Sequence, residues 1–299
     1  MSMQPSIKQL RYLVAVARHG HFGRAATSCF VTQSTLSAGV KDLEESLGVT
    51  VFERVHKNVL VTEIGTEVLA RAELILRQID ELVELKSQRT GPLSGKLVLG
   101  VIPTIGPFLL PQLLAALRKK YPKSQVFLRE GQTATLLDDL GSGKIDAALM
   151  ALPYPTTNMT VVPLFDDLFF LACARGSAFS ELSHIKIKQL EGSELLLLEE
   201  GHCLRQHALA ACKLKSAEYG IPYESTSLYT LVQMVANGLG VTLLPQMAID
   251  SGILKKTGVE ARPFVEKDVM RSIGLVWRSS SSKAEDLKLL ADFITNHTQ

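Results

Sequence analysis

Thr32-Gln33-Ser34-Thr35-Leu36-Ser37-Ala38-Gly39-Val40-Lys41-Asp42-Leu43-Glu44-Glu45-Ser46-Leu47-Gly48 is the stretch from which this chain's fold reads outward. Thr32 suits an N-cap, since its hydroxyl can accept from an unpaired first-turn N–H, and Gly48 suits the left-handed residue just past a helix end. Leu36, Val40, Leu43 and Leu47 fall at i, i+4, i+7 and i+11 and make one apolar face. Opposite them lie Gln33, Ser34, Ser37 and Lys41. A helix that starts with amide and hydroxyl groups and one cation can enter a major groove end-on and meet base edges or phosphates, and Thr32 joins that set. A plain helical hairpin would show the same pattern, so the flanks matter.

Upstream, Leu10, Leu13, Val14 and Ala17 form a second helical stripe that His19-Gly20 ends. A short helix over about 23–29 follows, its Ala25 and Ala26 small enough for another helix to cross closely, and Phe30-Val31-Thr32 is the turn. Downstream, residues 51–54 and 58–61 read as two short strands around a polar tip with His56 and Lys57, the pattern of a wing. Arg54 and Lys57 would face phosphate, contacts that position a protein on DNA without reading sequence. Residues 1–61 hold seven Lys and Arg against four acids, a local +3 in a chain whose net charge is +2. A winged helix-turn-helix needs that kind of local basic surface, not a cationic coat.

Thr62 opens a long helix running to about residue 89, with Gly65 as a weak spot. Val68, Leu69, Leu74, Ile75, Ile79, Leu82, Val83 and Leu85 give it too broad an apolar face for a solitary linker, so it is expected to pair with its copy in a second chain. Thr90-Gly91-Pro92 breaks it. The expected division is a DNA-binding domain over 1–61, a linker and dimerisation helix with its hinge over 62–92, and an effector domain over 93–299.

From Leu93 the pattern alternates between strands and helices. Residues 96–102, 126–130 and 145–150 are apolar runs separated by helical stretches, and runs at 168–174, 195–198, 241–244 and 273–277 extend the series. Continuous apolar strands between helices imply a parallel sheet covered on both faces. Their number suits two α/β lobes, lobe I over about 93–165 plus 271–299 and lobe II over about 166–270. The ligand of such a fold meets the carboxyl ends of strands. Here these ends are Thr104, Gln132-Thr133 and Gly201-His202, which together could line one small polar pocket.

Gly201 opens the run Gly201-His202-Cys203-Leu204-Arg205-Gln206-His207-Ala208-Leu209-Ala210-Ala211-Cys212. Residues 204–217 lack Gly, Pro and β-branched residues, so a helix is expected. It would carry the two thiols roughly 13 Å apart and onto opposite faces, whereas a disulfide needs Cα atoms within about 7 Å. Joining the sulfurs would require the helix to unwind or move, which makes the bond a conformational switch. Cys203 would sit in the first turn, where the helix dipole, His202 and Arg205 favour its thiolate. The alternative is that both thiols are small apolar packing residues, as Cys29 and Cys173 are read here. The His and Cys spacings match no zinc pattern, so neither metal nor cofactor is expected.

At 46% hydrophobic and 21% charged the chain has ordinary globular composition, and four cysteines without a CxxC pair exclude a disulfide framework. The apolar patch at 13–17 is bracketed by Arg11 and Arg18, too short for a secretion signal, and no later run approaches a membrane span. A cytoplasmic protein without membrane contact is expected. A periplasmic solute carrier is not.

The residues also carry a resemblance. Leu10-Arg11-Tyr12-Leu13-Val14-Ala15-Val16-Ala17, Phe22-Gly23-Arg24-Ala25-Ala26, the run Thr32 to Ser37 and the run Leu43 to Arg54 resemble the winged helix-turn-helix of LysR-type transcriptional regulators. The remainder resembles their linker helix and their two-lobed effector domain, which is similar to periplasmic solute-binding proteins. Ile102-Pro103-Thr104-Ile105-Gly106-Pro107, Gln132-Thr133, Gly201 to Arg205, Cys212 and Arg271-Ser272-Ile273-Gly274-Leu275-Val276 resemble the hydrogen peroxide-sensing members of that family. The resemblance implies that peroxide oxidises Cys203 to a sulfenic acid and that Cys212 closes a disulfide onto it. It also implies that Thr104, Thr133, His202, Arg205 and Arg271 surround the peroxide or the thiolate. The partners it implies are a double-stranded DNA operator, a second or further copies in a homodimer or homotetramer, RNA polymerase, and a thiol reductant such as glutaredoxin or thioredoxin. Gln206-His207 departs from the Asp-Gln common in those members and removes an acid near Arg205. Two other readings stay open: a LysR-type regulator with a small-molecule effector in the lobe cleft, and a thiol peroxidase. The peroxidase would have no use for residues 1–61, so the chain is expected not to be an enzyme.

Overall fold

The computed structural model describes residues 4–55, 58–84, 91–212 and 224–298. The chain divides into two compact units, Met1–Arg89 and Thr90–Gln299.

In the first unit α1 (Ile7–His19), α2 (Phe22–Ser28) and α3 (Gln33–Leu47) enclose a core of Leu10, Leu13, Val16, Ala25, Leu36 and Leu43. The Thr32 hydroxyl caps α3 by accepting from the Thr35 N–H, a contact worth about 1 kcal/mol. Leu47 departs from the expected apolar face and is 40% exposed, because the last turn of α3 reaches past the packed core. The wing is the antiparallel pair β1 (Phe52–Val55) and β2 (Asn58–Val61). It is tied to α3 by the Glu44 carboxylate, which accepts from the Val51 and Phe52 N–H groups at 2.6 and 3.0 Å.

The long helix is α4 (Glu63–Glu84). Gly65, expected as its weak spot, is a packing requirement: a Cβ there would stand 2.4 Å from the Val51 carbonyl oxygen, so only glycine lets α4 start this close to the wing. Ala72 is buried and Val68, Leu69 and Leu76 pack against the core, whereas Ile75 and Leu82 are exposed. His56, Lys57, Leu85 and Arg89 lie outside the described residues, as do the side chains of Arg54 and Val83.

The second unit has strands β3 (Gly95–Val101), β4 (Ser124–Glu130), β5 (Ala147–Leu152), β6 (Met159–Ala174), β7 (Leu197–Leu198), β8 (Glu224–Ser225), β9 (Thr242–Pro245), β10 (Val259–Pro263) and β11 (Met270–Arg278). Its helices are α5 (Gly106–Lys120), α6 (Thr133–Gly141), α7 (Cys203–Ala211), α8 (Leu228–Ala236), α9 (Gln246–Asp250) and α10 (Ala284–Thr298). Among the described residues the main sheet runs β10-β6-β11-β5-β3-β4, with β9 also on β6, and β7 and β8 form a separate parallel pair.

The sheet corrects the expectation of an all-parallel one. β3 is parallel to β4 and β5, but β11 is antiparallel to β5 and β6, and β9 and β10 are antiparallel to β6. An apolar run has no direction written in it, so the return of residues 273–277 between β5 and β6 was not legible. Nor is every face covered: β4 is an edge strand that leaves Phe127 51% exposed. β6 begins nine residues before the expected 168–174 run, pairs with β11 over its first half and with β9 and β10 over its second, and so serves both lobes. One core gathers around Leu99, Leu149 and Trp277, the other around Leu171, Leu197 and Leu244. Among the described residues no helix is long and apolar enough to cross a membrane.

Candidate functional site

Three chain turns meet at one pocket. The turn from β3 into α5 supplies Ile102, Pro103 and Thr104, that from β4 into α6 supplies Gln132 and Thr133, and that from β7 into α7 supplies Gly201, His202 and Cys203. The space open to the centre of a water-sized molecule is ≈ 10 Å³, about what a single water needs. The N-termini of α6 and α7 both reach it, and their unpaired N–H groups favour negative charge there. Gly201 has φ +95°, and a Cβ on it would lie 2.8 Å from Gln132 Oε1, so the Gln132 amide closes over the entry to α7.

α7 begins at Cys203 itself and ends at Ala211 with Cys212 as its C-cap; residues 213–217 of the expected helix lie outside the described residues. Both thiols are free and buried, but among different neighbours: Cys203 belongs to the core around Leu149 and Cys212 to the core around Leu197. A helix with Cys203 and Cys212 at its ends separates their Cα atoms by roughly 13 Å. Burial, and then the nearby Glu266 carboxylate, push the Cys212 thiol up to about 12.

Thr104 is held by one guanidinium at both its side chain and its backbone. Its Oγ1 accepts from Arg271 Nη1 at 2.9 Å and its carbonyl oxygen from Arg271 Nη2 at 3.0 Å. Arg271 in turn clasps Asp167 on the neighbouring strand, Nε at 3.0 Å and Nη2 at 2.9 Å from Oδ2. Asp167 Oδ1 accepts from the Met247 N–H at 3.1 Å. Burial raises the Asp167 carboxyl above the usual carboxylate range, and the Arg271 charge pulls it part of the way back. Thr133 Oγ1 is buried without a hydrogen-bond partner, a cost that a small polar ligand would relieve. His202 lies 3.8 Å from the Glu199 carboxylate, and Arg205 Nη1 donates to the Leu198 carbonyl at 3.2 Å. His207 Nε2 stands 3.3 Å from the Pro153 carbonyl oxygen, and burial lowers its pKa.

Thr104, Thr133, His202 and Cys203 therefore line one pocket, and Arg271 reaches it through Thr104. Gln132 lines the pocket as its strand-end position implies, whereas Asp167 and Met247 stand outside the residues read from the sequence. The signal for Asp167 was Arg271 itself, since an arginine opening the apolar run 271–276 needs a buried acid. Among the described residues no group of three His, Cys, Asp or Glu side chains could hold a metal ion.

On α3, Gln33, Ser34 and Lys41 are exposed and Ser37 is half-buried. The Thr32 hydroxyl is engaged in the cap and 2.9 Å from Ser34 Oγ, so it is less free to reach a base than expected. Lys41 Nζ lies 3.5 Å from Glu45.

Residues 7–66 match the model for the bacterial regulatory helix-turn-helix protein, lysR family, and residues 90–299 match the LysR substrate binding domain. The chain is 40% identical to the hydrogen peroxide-inducible genes activator of Dickeya chrysanthemi over 294 residues, 98% of this chain and 96% of that one. It superposes on a full-length OxyR variant from Pseudomonas aeruginosa with a TM-score of 0.79 at 37% identity, covering 98% of each chain. A Corynebacterium glutamicum OxyR variant with hydrogen peroxide bound gives a TM-score of 0.68 at 34% identity, covering 100% of this chain and 94% of that one.

Proposed function

This chain belongs to the LysR family of transcriptional regulators, and from that premise we propose that it is a DNA-binding regulator that senses hydrogen peroxide through Cys203 and Cys212. The observation that carries this reading is the pocket beside Cys203: it has room for about one water-sized molecule and holds a buried hydroxyl, Thr133 Oγ1, without a partner. A small polar molecule such as peroxide would give that hydroxyl its missing partner. The named relatives agree with the choice.

The chemistry follows from the residues present. The Cys203 thiolate attacks one peroxide oxygen, an S–O bond forms, the O–O bond breaks, and the departing hydroxide takes a proton to become water. Thr104 and Thr133 orient the peroxide, Arg271 holds Thr104, and His202 or Arg205 supplies positive charge near the thiolate. The Cys212 sulfur then displaces hydroxide from the sulfenic acid, giving a disulfide and a second water. Because that bond needs Cα atoms within about 7 Å, α7 unwinds first, and the loss of the helix is the signal. In the DNA-binding unit Gln33, Ser34 and Ser37 read base edges, while Thr32, Lys41, Arg54 and Lys57 position the protein on phosphates. A homodimer or homotetramer assembles through α4, the active form contacts RNA polymerase in the cytoplasm, and glutaredoxin or thioredoxin resets the disulfide.

Non-reducing peptide mapping after mild peroxide tests the reading. A 203–212 linkage, with DNA contacts that revert on adding reductant, is expected. An oxidised protein without that linkage, or a Cys203→Ser chain with an intact effector response, would instead make the cysteines incidental to a metabolite sensor.

A further inference from the structure

We propose that Asp167 is a positioning residue for the peroxide chemistry: by fixing Arg271 it makes Thr104 an obligate hydrogen-bond donor toward the oxygen that leaves when Cys203 is oxidised. This rests on the reading of Cys203 as the peroxide-reactive thiol, and adds a polarity to one hydroxyl and a role to a β6 residue outside every motif read from the sequence.

A threonine hydroxyl has one proton to give and can accept, while a guanidinium can only donate. With Arg271 Nη1 2.9 Å from Thr104 Oγ1, the direction of that bond is settled, and the threonine proton is left for another acceptor. Among the described residues no protein acceptor takes it, and Thr104 lines the pocket. Thr133 Oγ1 has no such neighbour and can donate or accept. The pocket thus holds one fixed donor and one adaptable hydroxyl.

That asymmetry matters because the two peroxide oxygens have different fates. The oxygen that bonds to sulfur keeps its proton. The other receives both electrons of the O–O bond, leaves as hydroxide and becomes water with the proton lost from the Cys203 thiol. A donor already aimed at this oxygen stabilises its charge without reorganising. Asp167 keeps the donor aimed. It is the directly opposite partner of Arg271 in the β6–β11 register, it takes Nε and Nη2 together, and its second oxygen is fixed by the Met247 N–H. The Arg271 and Asp167 side chains are 0% and 2% exposed, so no water replaces a lost bond.

The test compares two reactions of Cys203 in the full, reduced chain: oxidation by hydrogen peroxide, which needs a donor at the leaving oxygen, and alkylation by iodoacetamide, which does not. Thr104→Val should slow oxidation about 10²-fold, the usual cost of one such donor, and leave alkylation unchanged; Thr104→Ser should restore oxidation. Asp167→Asn should slow oxidation selectively, and combined with Thr104→Val should be no slower than Thr104→Val alone, since both act at one hydroxyl. Additive losses, an equal fall in both reactions, or a wild-type oxidation rate in Asp167→Asn overturn the proposal. If Asp167→Asn does not fold, Thr104→Val failing to separate the two reactions overturns it alone. A wild-type Cys203 that ignores peroxide defeats the peroxide reading itself.

Discussion

Cys203 and Cys212 stand at the two ends of one nine-residue helix, yet they occupy opposite chemical settings. Cys203 opens on a small pocket at a helix N-terminus, beside His202 and two threonines. Cys212 is 0% exposed in an apolar core, at a helix C-terminus, with Glu266 near it. Dipole, burial and the neighbouring carboxylate all oppose ionisation at the second site. The helix therefore separates the thiols chemically as well as in distance, and the second thiol becomes reactive only when it leaves its place.

The contrast can be broken most sharply by labelling. A thiol moved from 9.0 to about 12 has about 10³-fold less thiolate at neutral pH, so Cys212 should alkylate about that much more slowly than an ordinary free thiol, with Cys203 modified first by mass spectrometry. Equal labelling of the two would end the distinction. The same burial gives a pH dependence. Between about 9 and 12 the unfolded Cys212 loses its proton while the folded one keeps it, so unfolding releases a proton and stability falls as pH rises, by about 1.4 kcal/mol per pH unit. Urea titrations should show that slope, and Cys212→Ala should lack it.

Gly201→Ala perturbs the Cys203 end alone. Its φ of +95° and the 2.8 Å approach to Gln132 predict a loss of about 1–3 kcal/mol, larger than for Gly192→Ala, where φ is +77° but the space is open. Similar denaturation midpoints for the two would show that Gln132 gives way freely. The smallest effect is expected from Thr133→Val. Removing a buried hydroxyl without a partner should leave stability unchanged or raise it by about 1 kcal/mol, while slowing peroxide oxidation of Cys203. A clear loss of stability would mean that the hydroxyl supports the fold rather than a ligand.

Much of this is legible in the sequence. Thr32 and Gly48 bound α3 because capping chemistry is local, and Thr104, Thr133 and His202 converge because strand ends in an α/β fold collect on one side. What was hidden depends on partners far apart in sequence. Gly65 looks like a helix defect until Val51 is seen against it, and Asp167 is one acid among several until Arg271 returns beside it from more than a hundred residues away. Arg205, assigned to the thiolate by its place in the motif, also spends a donor on the Leu198 carbonyl that ends β7, a bond that no spacing rule foresees.

β6 carries one further consequence. A hinge needs a few residues free to change their backbone angles, and this strand of 16 residues is laddered first to β11 and then to β9 and β10. It works as a girder laid under both lobes, stiff in bending because every deflection strains a row of hydrogen bonds. If disulfide formation unwinds α7, as proposed, this double ladder predicts that the change is not taken up by swinging one lobe against the other. It would instead stay local to the segment around α7, as the load on a rigid frame goes to a loose panel.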